Sequence, residues 1–536
     1  MSTVNEGNMT LDSRSRPERY PGRYAIEAPD RVAVIHGSTG WTQTYRELDA
    51  QANRLSTALA ERGLAPGDHV VVLMENHQRF VEAIWGAHYA GLVYTTCSTR
   101  LTADEVAYIA ADSGARAMIC SAAFAAVGAA VGHDLPDGSV LLAVGGEIDG
   151  FESYESVVDA RAADPLPPPR VAGSDMLYSS GTTGRQKAIV LPTKQAPLET
   201  AAVGTSYAAK KFFGFDESTV YLSPAPLYHG AGIRFVMATT ALGGTAVIMD
   251  KFDAAAYLEL VERHHVTHTQ VVPTMMLRMM RLADQVRLGH DVSSLRYFIH
   301  SAAPCPRDLK EQVIDWLGPV VYEYYAGTES NGLVLCDSTE WLAHPGTVGR
   351  PIGCEVYICD DDGDLVATGE TGTVYFGKGP EFEYRGDAAK TAGSRHPKGW
   401  STLGDVGHVD EEGFLYLTDR KAFMIISGGV NIYPQEAENA LSTHPAVLDV
   451  AVFGVPHPDF GEQVKAVVRP VEMPLTDAAA EALAGELMAF CRTRLADVKC
   501  PRTVDFREEL PRDLSGKMLK QQLRQEYLTI AEAGVR

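Results

Sequence analysis

The chain has 536 residues, enough for two to four structural units at roughly 100–200 residues each. Apolar residues make up 45% and charged residues 22%, the balance of a globular protein with a large core rather than of a disordered or fibrous chain. Lys and Arg number 47 against 69 Asp and Glu, a formal charge of −22, which repels nucleic acid and anionic membranes and speaks against both as partners.

In chain order, the first twenty residues are polar and lack the basic and apolar regions of a signal peptide. From Val32, short Val/Ile-rich runs alternate with helix-like segments. Apolar residues at helical spacing (Leu48, Ala52, Leu55, Leu59) predict a helix from Thr44 to Arg62 that stops at Gly63. Gly67-Asp68 then turns into a buried strand from His69 to Met74, followed by a helix from Phe80 to Tyr89 and another strand after Gly91. The proline-rich stretch Pro165–Arg170 reads as a spacer before a strand at Met176–Tyr178. Past Asp419-Arg420-Lys421 comes a compact run: helix Gln435–Thr443, strands Val447–Val455 and Gln463–Val468, helix Asp477–Leu495. The expected fold is α/β: a large N-terminal domain of layered, mostly parallel sheets and helices over 1–420, and a small mobile α+β lobe over 421–536. No apolar run approaches the ~18 residues of a membrane helix. The eight cysteines are scattered without a Cys-x-x-Cys pair, which suits a reducing, cytoplasmic setting rather than a disulfide scaffold or zinc site.

The most informative segment is Tyr178-Ser-Ser-Gly-Thr-Thr-Gly-Arg-Gln-Lys187. Two glycines let backbone amides approach an anion closely, the hydroxyls add donors and Lys187 adds a positive charge. It is not a Walker A loop, which needs Gly-Lys followed by Ser or Thr. His264, His265 and His268 form a tempting metal cluster, but Val271-Val272 follows so closely that the helix should end before His268. Partly exposed histidines at a helix end are the expected reading.

Ser-Ser-Gly-Thr-Thr-Gly-x-x-Lys resembles the phosphate loop of the adenylate-forming superfamily, which holds acyl-CoA synthetases, peptide-synthetase adenylation domains and luciferases. Further matches follow in the family's order: Pro226-Leu-Tyr-His-Gly230, Val272-Pro-Thr274, Ser301-Ala-Ala-Pro304, Tyr325-Ala-Gly-Thr-Glu329, Trp400 to Asp405, Asp419-Arg420, Gly428-Gly-Val-Asn-Ile-Tyr-Pro434, and Leu510-Pro to Ser515-Gly-Lys517. The resemblance spans about residues 25–527. It implies an acyl-CoA ligase that joins a carboxylic acid to ATP with Mg²⁺, forming acyl-adenylate and pyrophosphate, and then lets the thiol of coenzyme A displace AMP.

The resemblance also assigns roles. Ser179, Ser180, Gly181, Thr182, Thr183, Gly184 and Lys187 would grip phosphates. Ala302, Ala303, Pro304, Glu323, Tyr324 and Tyr325 would surround the nucleotide, and Thr328 would donate to its α-phosphate. Asp405 would accept from the ribose hydroxyls beside Arg420, and Glu329 with Thr182 would face the metal. Lys517 would bridge carboxylate and α-phosphate, and His229 would gate the acyl pocket. That pocket would be lined by Leu227, Tyr228, Gly230, Thr274, Ser301, Ala326 and Gly327, and Gly428-Gly429 would border the pantetheine tunnel. No basic residue stands in this set to pair with a second carboxylate, so a bulky or long apolar acid is favoured over acetate.

Several positions depart from the family's usual residues: Gln186 for proline, Ala188 for glycine, Leu403 for threonine, and Ala422-Phe423 where a polar residue and a hinge Asp or Lys are usual. They leave three other readings open. One is an enzyme specialised for thioester formation, fed with acyl-adenylate by another adenylating enzyme upstream. The others are a ligase loading a carrier protein, and an inactive nucleotide- or CoA-binding homologue. Monomer and homodimer are both compatible with the sequence.

Overall fold

The computed structural model describes residues 20–179, 186–192, 196–201, 203–420, 423–427, 430–512 and 518–532. These form two compact units. The first takes the described parts of Met1–Asp175, Lys194–Thr219 and Arg234–Ala246; the second takes those of Met176–Thr193, Val220–Ile233 and Val247–Arg536.

The first unit is built on a six-stranded, all-parallel sheet whose central strands are β1 (His69–Leu73), β2 (Val93–Cys97), β3 (Ala115–Ser121) and β4 (Val140–Val144). A parallel sheet is covered on both faces, so its strands read as continuous apolar runs; Val70, Val71 and Val72 are all fully buried. The helix expected from Thr44 runs Tyr45–Glu61. Thr44 is its cap: the hydroxyl accepts from the Glu47 amide while the Glu47 carboxylate accepts from the Thr44 amide, which satisfies two donors the helix start would otherwise leave bare. Helix Phe80–Tyr89 is buried along its whole length.

That burial has a measurable consequence at His88. Its ring lies edge-on to Trp85 at 5.3 Å, and among the described residues neither ring nitrogen has a hydrogen-bond partner. Burial therefore pushes its pKa down from 6.5 to about 4. Above pH 6.5 the neutral ring costs nothing extra. As pH falls from 6.5 towards 4, the unfolded chain takes up a proton that the folded one refuses, so stability drops by up to about 1.4 kcal/mol per pH unit. Denaturant unfolding between pH 7 and 4.5 should show this slope, and His88→Leu should reduce it. A variant with the wild-type slope would remove His88 as the cause.

The second unit carries four parallel strands, β5 (Val220–Ser223), β6 (His268–Val271), β7 (Tyr297–His300) and β8 (Val321–Tyr325), adjacent in that order. Antiparallel strands Val334–Asp337 and Arg350–Pro351 follow β8. A separate four-stranded antiparallel sheet contains β9 (Ser401–Val409) and β10 (Leu415–Arg420). The C-terminal part is an α+β arrangement. Hairpin Val447–His457/Gly461–Pro470 packs one face (Val450, Val452, Val464, Ala466, Val468) with Leu441 and Leu487, and the other (Ala451, Phe453, Val467) with Leu510 and Leu523. Alternate side chains of a strand point to opposite faces, so both faces of this hairpin are covered by apolar residues.

Two expectations need correction. The chain around 176–178 is not one strand: Ser174–Asp175 and Tyr178–Ser179 are separate two-residue strands with Met176 and Leu177 between them. The helix Ala254–His264 does end before His268, with His265 in the left-handed region at φ 48°. His268, however, is fully buried within β6, stacked on Tyr297, rather than a partly exposed helix-end residue.

Candidate active site

The motif loops converge because of where the parallel strands end. Leaving β5, the chain runs into Pro226-Leu227-Tyr228-His229-Gly230. Leaving β6, it meets Val272-Pro273-Thr274, the start of helix Pro273–Met280. Beyond β7 comes Ser301-Ala302-Ala303-Pro304, and beyond β8 comes Ala326-Gly327-Thr328-Glu329. Carboxyl ends of neighbouring parallel strands in an open α/β sheet are where ligands bind. Four motifs scattered over a hundred residues therefore share one sheet edge.

Ser301 is buried, and its hydroxyl accepts from the buried Gln270 amide at 3.1 Å. Ala302 holds φ 74°, a left-handed conformation that a residue with a Cβ rarely adopts. In the acyl-pocket set, Leu227 and Tyr228 are buried and the Tyr228 and His229 rings lie 4.7 Å apart. Gly230 opens helix Gly230–Ala241, Thr274 is half-buried and Ala326 is exposed.

Glu323 is only 6% exposed, and its carboxylate is taken by Lys310, whose Nζ lies 2.5 Å away and is itself buried. His300 sits 3.6 Å from the same oxygen, with its pKa held well below 6.5 by burial first and by the Lys310 charge second. Tyr324 and Tyr325 are half-buried.

Tyr325 reaches from β8 to the antiparallel sheet, donating its hydroxyl to Asp405 Oδ2 at 2.6 Å. Asp405 on β9 is the cross-strand partner of Arg420 on β10, so the two residues assigned to the ribose come together through strand register. Leu403, one of the departures, packs against the cluster of Val334 and Phe376 and leaves little room over Gly327.

Glu329 sits within a tight turn in which the Ser330 amide donates to the Gly327 carbonyl and Ser330 holds φ 55°. One of its oxygens accepts from Tyr384 Oη at 2.9 Å. Lys187 begins strand Lys187–Val190 as the cross-strand partner of Ser179, so the two ends of the phosphate-loop motif pair antiparallel. Lys187 Nζ lies 3.5 Å from Asp387, and Ala188, another departure, is fully buried. The ring of Phe423, aligned with the hinge, has Lys520 Nζ 5.1 Å above it. Ser180, Gly181, Thr182, Thr183, Gly184, Ala422, Gly428, Gly429 and Lys517 lie outside the described residues.

Sequence reading missed Tyr384, Asp387, Lys390 and Lys310. The first three sit in a two-residue strand and a short helix with no apolar periodicity, and Lys310 reads as an ordinary helix-surface lysine.

The loops that the resemblance assigns to a nucleotide thus gather at one sheet edge. Comparison with known proteins agrees. The family of AMP-binding enzymes matches residues 23–381, and the AMP-binding enzyme C-terminal domain matches 436–517. The chain belongs to this family, and it is an AMP-forming acid–thiol ligase. It is 35% identical over 520 residues to feruloyl-CoA synthase of Amycolatopsis sp, covering 95% of this chain and 98% of that protein. It is 33% identical over 511 residues to the long-chain-fatty-acid–CoA ligase FadD13 of Mycobacterium tuberculosis, covering 94% and 97%. Among solved structures it resembles o-succinylbenzoate CoA synthetase of Bacillus subtilis in complex with the acyl-adenylate OSB-AMP. The TM-score is 0.79 at 26% identity, with 95% and 98% of the two chains covered. Among the described residues, no helix is long and apolar enough to cross a membrane.

Proposed function

We propose that the chain activates a bulky or long carboxylic acid bearing no second charged group, and passes it to coenzyme A. The observation that carries this reading is the convergence of four motif loops on one sheet edge, with Leu227 and Tyr228 buried and no Lys or Arg among the acyl-pocket residues. Relatives acting on an aromatic and a long-chain acid support it.

In the first half-reaction a carboxylate oxygen attacks the α-phosphorus and pyrophosphate leaves. Lys187 and the amides of its loop hold the departing phosphates. Thr328 donates to the α-phosphate, Asp405 fixes the ribose hydroxyls beside Arg420, and Lys517 bridges the two anions as they approach. Bound Mg²⁺ would neutralise triphosphate charge. The donor set fits that ion, because Mg²⁺ is commonly held by one or two carboxylates together with phosphate oxygens and water, and Glu329 offers one carboxylate there. In the second half-reaction the CoA sulfur attacks the acyl carbonyl and AMP leaves, with Gly428-Gly429 bordering the pantetheine path and His229 at the pocket mouth. The lobe beginning at 421 would reorient between the two steps, about Phe423. A cytoplasmic location suits these substrates.

The test separates the half-reactions over a panel of aliphatic, aromatic and polycyclic acids. Acid-dependent ATP–pyrophosphate exchange reads the first, and CoA thioester from supplied acyl-AMP reads the second. Activity in both arms with a bulky acid, and little with acetate or a dicarboxylate, is the expected result. Thioester without exchange for the same acyl group would replace it with an enzyme fed by an upstream adenylating partner. Exchange followed by transfer only to a carrier protein would overturn CoA as the acceptor.

A further inference from the structure

We propose that Tyr384 is a positioning residue that holds the Glu329 carboxylate in the orientation needed to receive the metal–triphosphate. This rests on the reading of Glu329 as the metal-facing carboxylate.

Glu329 is held at one oxygen and packed close to the backbone at the other. Tyr384 Oη donates to Oε1 at 2.9 Å. The other oxygen lies over Gly327, so close that a methyl group there would stand 2.6 Å from Oε2 and 2.8 Å from Leu403 Cδ1. A free glutamate side chain samples several rotamers, and ordering it at the moment of binding costs entropy. A carboxylate already held by one oxygen has lost part of that freedom beforehand.

Tyr384 can act this way because it is itself fixed. It is 7% exposed, and its amide donates to Thr391 Oγ1 at 3.0 Å. Its ring meets Phe382 edge-on at 5.4 Å, and its backbone pairs with Ile189 in the strand that Lys187 begins. Lys390 Nζ stands 4.0 Å from the ring centroid, and a cation over a phenol face draws electron density from the ring and strengthens the hydroxyl as a donor. Three residues beyond Tyr384, Asp387 caps the short helix through the Lys390 amide and faces Lys187 at 3.5 Å. One turn thus supports both Glu329 and Lys187.

Tyr384→Phe removes only the hydroxyl and keeps ring, packing and cation. With α,β-methylene-ATP as the non-reacting nucleotide, Mn²⁺ affinity followed by electron paramagnetic resonance should weaken about 10-fold, the scale of one hydrogen bond to a charged group. Exchange activity should need correspondingly more Mg²⁺. The thermal midpoint and thioester formation from supplied acyl-AMP should match wild type. Glu329→Gln is measured in parallel. If it weakens Mn²⁺ binding while Tyr384→Phe binds Mn²⁺ like wild type, the positioning role is overturned and the reading of Glu329 stands. If Glu329→Gln also binds Mn²⁺ normally, the reading of Glu329 falls and the proposal falls with it.

Discussion

Lys517→Ala is expected to slow acid-dependent ATP–pyrophosphate exchange by about 100- to 1,000-fold, the scale for removing one preorganised charge-stabilising group. Thioester formation from supplied acyl-AMP should stay within about 2-fold of wild type, because a group made redundant by the first step contributes nothing to the second. The argument is electrostatic. A carboxylate and an α-phosphate are both anions, and the barrier includes pushing them together; a lysine placed between them stabilises that approach and nothing later. The chain on either side is well held: Arg512 and Met518 pair as an antiparallel bridge, and the Leu519 amide donates to the Pro511 carbonyl at 2.8 Å. Arg512 is locked in turn to Asp449 through two hydrogen bonds. Equal losses in both half-reactions would contradict the assigned role, and unchanged rates in both would revive the reading of an inactive or differently built homologue.

Removing Lys310 should be the most damaging single change to stability within the nucleotide side of the site. Lys310→Ala strips the partner from Glu323 and leaves a carboxylate that is 6% exposed. Losing one member of a buried ion pair costs about 3–5 kcal/mol, because the survivor keeps its desolvation penalty without the compensating attraction. Urea unfolding at pH 7.5 measures this directly, and a loss below about 1 kcal/mol would mean water reaches Glu323 freely. Two further results follow from the geometry. Lys310→Met combined with Glu323→Gln should recover much of the loss, since neither side chain then carries a charge. His300, kept neutral by burial and by the Lys310 charge, stands 3.6 Å from Glu323; in Lys310→Ala it can take up a proton and stand in for the lost ammonium. The single variant should therefore lose less relative to wild type as pH is lowered from 7.5 to 6.

Much of this site was legible because its chemistry is carried on contiguous motifs. Ser301–Pro304 and Tyr325–Glu329 each sit on one loop leaving one strand, so short-range sequence states their contents. Alternating strand and helix patterns pointed to mostly parallel sheets; that those loops share an edge came only with the strand order. The supports were not legible, because they join distant segments. Tyr384 and Glu329 are 55 residues apart, and Tyr325 and Asp405 are 80 apart. No periodicity reports such pairs, since they depend on how two sheets face each other. Lys310 was missed for a related reason: it occupies the buried face of helix Arg307–Leu317, where Glu323 and the Trp341 ring receive its charge. The strand expected over Met176–Tyr178 was misplaced because the strands there, Ser174–Asp175 and Tyr178–Ser179, are two residues each, too short for apolar alternation to show.

The left-handed Ala302 bears on how this enzyme could be redesigned. Its backbone at φ 74° is one that glycine adopts without penalty and alanine does not, so the loop after β7 is held in shape by its surroundings rather than by its own preference. Ala302→Gly would relieve that strain yet widen the choices open to the free loop. Engineers therefore have, in the loop assigned to the nucleotide, a position where backbone freedom can be raised by removing one methyl group.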